Sequence, residues 1–221
     1  MTKPVVIFGM GDIAEIAHFY LTQDAGREVA AFTVDGTYLK APTFKGLPAV
    51  PFEEVATAFP PSDHDFFVAV SYTDLNRLRA AKCAAAMGLG YDLISYVSSK
   101  ATVWSDLSIG HNCFIFEDNT IQPFVRIGNN VTLWSGNHIG HHSVIEDDCF
   151  LASHIVVSGG VRVGQGSFLG VNATLRDHIK VGQYCVVGAG AILLEDAPDF
   201  SVYRAVSTER SKVPSTRLRG I

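Results

Sequence analysis

The stretch "IGHHSVIEDDCFLASHIVVSGGVRVG", residues 139–164, carries an aliphatic residue at every sixth position. The rhythm continues in both directions, because every sixth residue from Val97 to Leu193 is Val, Ile or Leu. The residue four places after each of these is usually small or β-branched, with Asn119 and Asn137 as polar exceptions. Short strands separated by sharp corners fit this spacing. A repeat of six residues therefore predicts a parallel β-helix.

The first 95 residues have a different pattern. Apolar runs at "PVVIFG", "REVAAFTVD", "DFFVAVS" and "YDLISYV" predict strands. The segments "DIAEIAHFYLTQD" and "DLNRLRAAKCAAAM" have helical spacing, and the second should end at Gly88. Strands that alternate with helices predict a small parallel sheet of Rossmann type. We expect this α/β domain at 1–95, the β-helix at 96–195 and a basic C-terminal tail at 196–221.

Composition narrows the possible functions. A net charge of −5 argues against general binding to nucleic acid or to anionic membranes. The start "MTKPVVIFGMG" resembles neither a signal peptide nor a membrane span, so we expect a cytoplasmic protein. The four cysteines form no CxxC pair and are expected to be reduced thiols.

The hexads "IGHNCF", "IGNNVT", "VGQGSF" and "VGQYCV" resemble those of the left-handed β-helix acyltransferases. The two-part layout resembles the bacterial nucleotide-sugar acetyltransferases, which include UDP-4-amino-sugar and GDP-perosamine N-acetyltransferases and sialic acid O-acetyltransferases. This resemblance implies a left-handed coil of three hexads and a homotrimer with active sites between subunits. It also implies acetyl-CoA in the groove between neighbouring β-helices, a nucleotide held by the N-terminal domain, and no metal.

The resemblance further implies a catalytic histidine about 18 residues before a "SGGVxIG" segment. Here "HHSVIEDDCFLASHIVVSGGVRVG" places His141 at that position. A neutral imidazole can accept the proton that an attacking amine or hydroxyl must lose. Relatives often have a carboxylate next to this histidine, whereas this chain has His142. Glu117, Asp118 or Asp177 could orient His141 instead, from the same or a neighbouring subunit, and we assign Asp118 with the two histidines to catalysis.

Residues 18 apart stack in such a coil. His141-His142 and Asp177-His178 should therefore flank a corner made of two glycines, which predicts an open notch whose N–H groups stabilise an oxyanion. Asn119 and Asn137 should form an amide ladder, and Cys113, Cys149 and Cys185 should share a corner, too far apart for a disulfide. The residues assigned to acetyl-CoA are Ser158, Gly159, Gly160, Asn172, Asp177, His178, Gly188, Ala189 and Arg204. The tail adds basic residues suited to the 3′-phospho-ADP group, namely Arg204, Arg210, Lys212, Arg217 and Arg219.

The N-terminal motif "FGMGDIA" is a weakened G-x-G-x-x-A loop that opens a helix, where phosphate is favoured. Asp12 is expected to cap that helix, although its charge would repel a diphosphate. Asp35 ends the second strand, where the family has an acidic residue that binds a ribose or base. The residues assigned to the nucleotide sugar are Gly9, Gly11, Asp12, Asp35, Ser71 and Arg77.

The sequence thus favours acetyl-CoA-dependent N-acetylation of a nucleotide-linked amino sugar in surface-polysaccharide biosynthesis. Sugar O-acetylation is the nearest alternative. A zinc enzyme of the γ-carbonic anhydrase type is another, although the candidate ligands His111, His141, His142, His154 and His178 lack that family's spacing. A non-catalytic trimeric binding protein is the third, because His142 breaks the usual histidine-carboxylate pair.

Overall fold

The structure, a computed structural model, describes residues 2–217. Its N-terminal part contains, in chain order, β1 (Val5–Phe8), α1 (Asp12–Gln23), β2 (Val29–Val34), β3 (Thr43–Phe44), β4 (Leu47–Pro51), α2 (Val55–Ala58), β5 (Asp65–Val68) and α3 (Arg77–Gly88). Short 3-10 turns lie at Gly36–Tyr38 and Phe52–Glu54, and a third lies at Ser215–Arg217. The strands form one sheet in the order β3-β4-β2-β1-β5. Its strand pairs are parallel except β3 with β4.

The predicted alternation of strands and helices is present, with three differences. The β3-β4 hairpin was not predicted, because its strands are short and interrupted by Pro48 and Pro51. The segment 91–97 is not one strand, since Leu93 forms only an isolated bridge to Phe66 before the β-helix begins at Tyr96. Helix α3 starts at Arg77, three residues later than predicted, because residues 74–76 have left-handed backbone.

The rest of the described chain is a stack of two-residue parallel strands on three faces. The first face comprises Tyr96–Val97, Phe114–Ile115, Thr132–Leu133, Phe150–Leu151, Phe168–Leu169, Val186–Val187 and Val202–Tyr203. The second comprises Ser108–Ile109, Arg126–Ile127, Val144–Ile145, Arg162–Val163 and Lys180–Val181. The third comprises Thr120–Ile121, His138–Ile139, Val156–Val157, Thr174–Leu175 and Ile192–Leu193. These stacks agree with the predicted β-helix of hexapeptide acetyltransferases.

The corners between strands have a fixed backbone geometry. The fourteen residues at steps of six from Asn112 to Gly190 all have positive φ, and only four of them are glycine. Eight of the other ten are Asn, Asp or His, which tolerate this region better than other residue types. The aliphatic residues between the corners point inward and form a continuous buried core. Burying each Leu, Ile or Val side chain stabilises the stack by about 1.5–3 kcal/mol.

Asn119 and Asn137 are buried as predicted, but they do not bond to each other. Both side chains donate instead to the carbonyl of Trp134. The amide ladder lies on another corner, where Asn112 donates to Asn130 at 2.9 Å and Asn130 donates to Asp148 at 2.8 Å. The predicted ladder between Asn119 and Asn137 was therefore wrong, because the Asn137 oxygen accepts the backbone N–H of Ile155 on the next coil instead of an amide of Asn119.

The ends of the stack differ from expectation in one respect. The strand Val202–Tyr203 pairs with Val186–Val187, so the first face continues into the stretch predicted as tail. Of the basic tail residues, Arg219 lies outside the described residues.

All four cysteines are buried and free. Among residues 2–217, no helix has the length and apolarity needed to cross a membrane.

The α/β part packs on the first face through side chains that cross between the two parts. The Asn112 amide accepts the Val68 N–H at 2.8 Å and donates to the Val68 carbonyl at 3.2 Å. The buried guanidinium of Arg79 donates to the Asn130 carbonyl and to the Thr132 hydroxyl. Burial lowers the pKa of Arg79, and these two acceptors compensate the loss of water around its charge. The α/β part is thus held at fixed positions along the β-helix.

Candidate functional site

A cavity of about 700 Å³ opens at the carboxyl ends of the parallel strands. It lies where β1 is flanked by β2 and β5, the place where open α/β sheets bind ligands. Five of the six residues assigned to the nucleotide sugar line it, namely Gly9, Gly11, Asp12, Asp35 and Ser71. The other lining residues include Tyr38, Thr73, Leu78 and Lys82. The sixth assigned residue, Arg77, does not line this cavity.

Arg77 points instead toward the β-helix. Its guanidinium lies 4.8 Å from the centre of the Tyr184 ring, and Nη1 lies 3.5 Å from Oδ1 of Asp74. In this arrangement Arg77 lies outside the cavity, and its contact with a nucleotide sugar stays a prediction. The cation that does line the cavity is Lys82, which forms an ion pair with Asp35 and lies 5.2 Å from the Phe8 ring centre. Sequence reasoning missed Lys82, although it lies one helical turn after Leu78, another lining residue.

The glycine loop brings the backbone close to the neighbouring strand. Gly9 has a φ of +132°, and a Cβ atom there would lie 2.4 Å from the Ala69 carbonyl oxygen. The N-cap of α1 is Gly11, and no side chain caps this helix, so the expectation that Asp12 is the cap is wrong. Asp12 is the exposed first residue of the helix. The free N–H groups of this first turn face a site suited to an anion.

His141 lies on the β-helix corner that separates the second face from the third. Its backbone is fixed by two bonds: its N–H donates to Oε1 of Gln122 at 2.8 Å, and its carbonyl accepts the Gly160 N–H at 2.8 Å. Its ring lies over Gly159 so closely that a Cβ atom there would be 2.7 Å from Cε1 and Nε2. The side chain itself is exposed. This arrangement presents an imidazole to solvent in a fixed place.

The two glycines do not form the open notch that was predicted. The His141 ring covers Gly159, and the His178 ring comes from the next coil to cover Gly160, where a Cβ atom would be 2.3 Å from Nδ1. The glycine N–H groups are also engaged, because Gly159 donates to Oδ1 of Asp177 at 3.0 Å and Gly160 donates to the His141 carbonyl. The prediction that these groups are free to bind an oxyanion is therefore wrong.

His142 contacts His141 directly. Their Nδ1 atoms are 3.1 Å apart, and the two rings are nearly perpendicular, at 85°. The other side of the His142 ring lies against Phe124, with 4.7 Å between ring centres. The structure therefore places a second imidazole, rather than a carboxylate, against His141.

Two of the three carboxylates considered as partners of His141 lie on another corner of the protomer, and the third, Asp177, lies on the His141 corner and accepts the Gly159 N–H. Asp118 is exposed on the corner between the first and third faces, and Glu117 on that corner accepts hydrogen bonds from Tyr20 at 2.5 Å and Ser135 at 2.6 Å. Burial raises the pKa of Glu117, but the two hydroxyl donors outweigh it and leave the pKa below its ordinary value. Within one protomer, neither carboxylate is brought to His141.

The residues assigned to acetyl-CoA divide between two corners. Those on the His141 corner are Gly159, Gly160, Asp177 and His178, with Ser158 at the preceding strand end. Those on the Glu117 corner are Asn172, Gly188 and Ala189, and Arg204 lines a cavity of about 500 Å³ beside them, with Gly190 and Tyr203. One protomer therefore holds the two sets apart.

Within residues 2–217, no group of three His, Cys, Asp or Glu side chains is arranged to hold a metal ion. Of the histidines considered as zinc ligands, His142, His154 and His178 occupy left-handed corners. Their position has a backbone explanation, since histidine is among the residues that tolerate positive φ.

Comparison with known proteins supports the acyltransferase assignment. Residues 160–195 match the family model described as the hexapeptide repeat of succinyl-transferase. Two solved structures from Caulobacter crescentus are similar over 91% of this chain. One is a histidine-to-asparagine variant of perosamine N-acetyltransferase, at 25% identity, 93% coverage of that chain and a TM-score of 0.82. The other is PerB, at 26% identity, 94% coverage and a TM-score of 0.81. Both are complexes with CoA and GDP-perosamine.

The acetyltransferase domain of PglB from Neisseria gonorrhoeae FA1090 has the same fold, with 21% identity, 92% coverage of this chain, 97% coverage of that chain and a TM-score of 0.81. No curated protein sequence matches the chain significantly. The predicted resemblance to hexapeptide-repeat acetyltransferases is confirmed by these matches, and so is the acyltransferase class that it implies.

Proposed function

We propose that this hexapeptide-repeat acyltransferase transfers the acetyl group of acetyl-CoA to the amino group of a nucleotide-linked sugar, with His141 as general base. The observation that carries the proposal is the exposed His141 imidazole, held over Gly159 at a β-helix corner. The similar Caulobacter enzyme is an N-acetyltransferase in complex with CoA and GDP-perosamine, which favours an amine over a hydroxyl acceptor. A role in surface-polysaccharide biosynthesis and a cytoplasmic location accompany this proposal.

The nucleotide is proposed to occupy the cavity at the ends of β1, β2 and β5. The ammonium of Lys82 and the N–H groups at the start of α1 suit a diphosphate, while Asp35 can accept a hydrogen bond from a ribose or base. Asp12 adds a negative charge at the helix start, and Lys82, which is paired with Asp35, is the cation among the lining residues.

The reaction is a direct transfer between two substrates. The amine nitrogen attacks the thioester carbonyl carbon while its N–H proton passes to Nε2 of His141. The carbon-sulfur bond then breaks, its electron pair goes to sulfur, and the sulfur takes the proton back from His141. The products are an N-acetyl sugar and the free thiol of CoA. His141 ends the cycle neutral, ready for the next amine.

The active site is proposed to lie between neighbouring subunits of a trimer. The assigned residues on the His141 corner and those on the Glu117 corner are separate in one protomer, and two adjacent β-helices would bring the corners together. In that arrangement Asp118 of one subunit would approach His141 of the next. Light scattering of the purified protein tests the arrangement, since three subunits per particle are expected.

Replacing His141 with alanine tests the proposed chemistry. Incubation with acetyl-CoA and a panel of UDP-, GDP- and dTDP-linked amino sugars should release free thiol with the wild type, and His141→Ala should lower kcat about 100- to 10,000-fold, as expected for loss of a general base. The matched control is His64→Ala, a histidine directly before β5, at the end of that strand opposite the cavity. Unchanged transfer by His141→Ala would contradict the proposal. Transfer to sugar hydroxyls only would favour O-acetylation.

A further inference from the structure

We propose that His142 is a positioning residue that fixes the tautomer of His141, taking the place of the carboxylate that relatives carry there. The inference rests on the proposed function, since it concerns the nitrogen that His141 uses as a base. Its observation is the 3.1 Å separation between the Nδ1 atoms of the two rings. One of these nitrogens must carry hydrogen and the other a lone pair, because two lone pairs or two hydrogens would repel.

Only one of the two possible arrangements leaves His141 basic. If His142 donated, the single lone pair of His141 would be consumed at Nδ1 and its Nε2 would carry hydrogen. If His141 donates through Nδ1–H, its lone pair is at Nε2, the atom that lies over Gly159. His142 then accepts at Nδ1 and carries its own hydrogen at Nε2. The proposed base role requires this second arrangement, in which the basic nitrogen lies beside Gly159.

The pair is held by the coil that precedes it. The Phe124 ring packs on His142, and the Phe124 N–H donates to Oδ2 of Asp106 at 2.9 Å. Gln122 accepts the His141 N–H. His142 itself has left-handed backbone, with a φ of 61°, and so does Phe124, with a φ of 66°. The backbone at this corner therefore fixes the direction of the His142 side chain, rather than leaving it on a flexible loop.

The hydrogen bond between His141 and His142 also becomes stronger when His141 takes a proton at Nε2. The Nδ1–H of the resulting imidazolium becomes a charged donor, and its hydrogen bond to the neutral Nδ1 of His142 becomes stronger. The stabilisation thus appears as the proton is transferred and favours the transition state over the ground state. A carboxylate in the same place would do this more strongly, because it carries a full negative charge.

Two substitutions at position 142 test the inference. His142→Phe keeps a ring that can pack on Phe124 and removes the acceptor, and Phe124 shows that phenylalanine fits a left-handed corner. We expect kcat to fall about 10- to 100-fold, the usual loss when an orienting partner is removed, with both KM values within about twofold. His142→Glu restores an acceptor and should recover kcat to within about threefold of the wild type. Tyr184→Phe, at a left-handed corner outside both the His141 corner and the Glu117 corner, is the control.

Nitrogen-15 NMR of the imidazoles gives a readout that needs no turnover. In the wild type, His141 should be protonated at Nδ1 and unprotonated at Nε2, and in His142→Phe the hydrogen should shift toward Nε2. The same tautomer in both proteins, or an unchanged kcat in His142→Phe, would overturn the inference. A wild type with the expected tautomer but no acetyl transfer to any amino sugar would overturn the proposed function alone.

Discussion

At the level of single residues, the backbone separates the clustered histidines into two kinds. His142, His154 and His178 all occupy the left-handed corner position, where Asn, Asp and His are frequent for steric reasons. His141 precedes that position and has no backbone requirement for histidine. Its identity is explained only by what its exposed ring can do, which is why the proposed chemistry centres on it.

The glycine beneath the His141 ring provides a test of how precisely the base must be placed. Gly159→Ala adds a methyl group that would lie 2.7 Å from Nε2, so the ring must rotate away. A base displaced by about 1 Å loses about 10- to 100-fold in kcat, while the melting temperature should change little because the ring is free to move. Steady-state kinetics and a thermal melt measure both effects.

Gly88→Ala is the matched control, since a Cβ atom there meets nothing within 4 Å. It should leave kcat and both KM values unchanged. Full activity in Gly159→Ala would mean that the observed ring position is not the one used in catalysis.

Single residues also mark the limit of sequence reasoning. His141 could be assigned from its distance to the Ser158-Gly159-Gly160 segment, because a repeat of 18 residues fixes which side chains are neighbours. Lys82 and Arg77 could not be told apart, because that choice depends on which side of α3 faces the sheet. The ring positions over Gly159 and Gly160 also required coordinates, since rotamers are decided by packing.

At the level of secondary structure, the hexads were predictable because each strand is set by local geometry. A two-residue strand and a left-handed corner repeat with the sequence, and the aliphatic positions follow. The start of α3 was not predictable, because Asp74, Leu75 and Asn76 have positive φ and the Asn76 amide donates to the Asp148 carbonyl. A tertiary contact there overrides the helical preference of the local sequence.

Asn112 makes one of the contacts that join the β-helix to the α/β part. Asn112→Gly keeps the left-handed corner favourable but removes the acceptor and donor for Val68, whose N–H and carbonyl end β5. Leaving buried backbone groups unsatisfied costs about 1–3 kcal/mol each, so the free energy of unfolding should fall by at least that amount. Urea denaturation measures the loss.

The affinity for UDP or GDP should fall with it, because the residues after Val68 line the cavity proposed for the nucleotide. His154→Gly makes the same backbone change at an exposed corner and should cost far less. Equal effects from the two variants would show that the contact to Val68 contributes nothing specific.

At the level of the whole molecule, α1 is tied to the β-helix by two carboxylates. Glu117 of the β-helix accepts from Tyr20, and Asp24, which follows α1, accepts from Tyr96 at 2.6 Å and from Ser99. The hydrogen bonds from Ser99 and then from Tyr96 lower the pKa of Asp24 below its ordinary value of 3.8. The ionised forms of both carboxylates therefore favour the docked arrangement.

The lowered pKa values determine whether the stability of the protein rises or falls with pH. Stability contributed by Asp24 is fully present above its unfolded pKa and is lost as pH falls through the lower folded value. Asp24→Asn should be less stable than the wild type near pH 7, and its stability should fall less steeply between about pH 5 and about pH 2. Urea denaturation across this range measures the slope. Asp63→Asn, at an exposed aspartate, is the control, and parallel curves for wild type and Asp24→Asn would contradict the assignment.

The first face, on which the α/β part packs, extends over many coils, and this length affects how the β-helix unfolds locally. In a stack of coils, each coil contacts mainly its neighbours, so such a stack alone would fray inward from either end. Here the α/β part spans the stack from Tyr96 to Tyr184, and several coils are joined to one common body. Amide hydrogens within this span should exchange together in one cooperative opening, whereas those of Val202–Tyr203 should exchange earlier and independently.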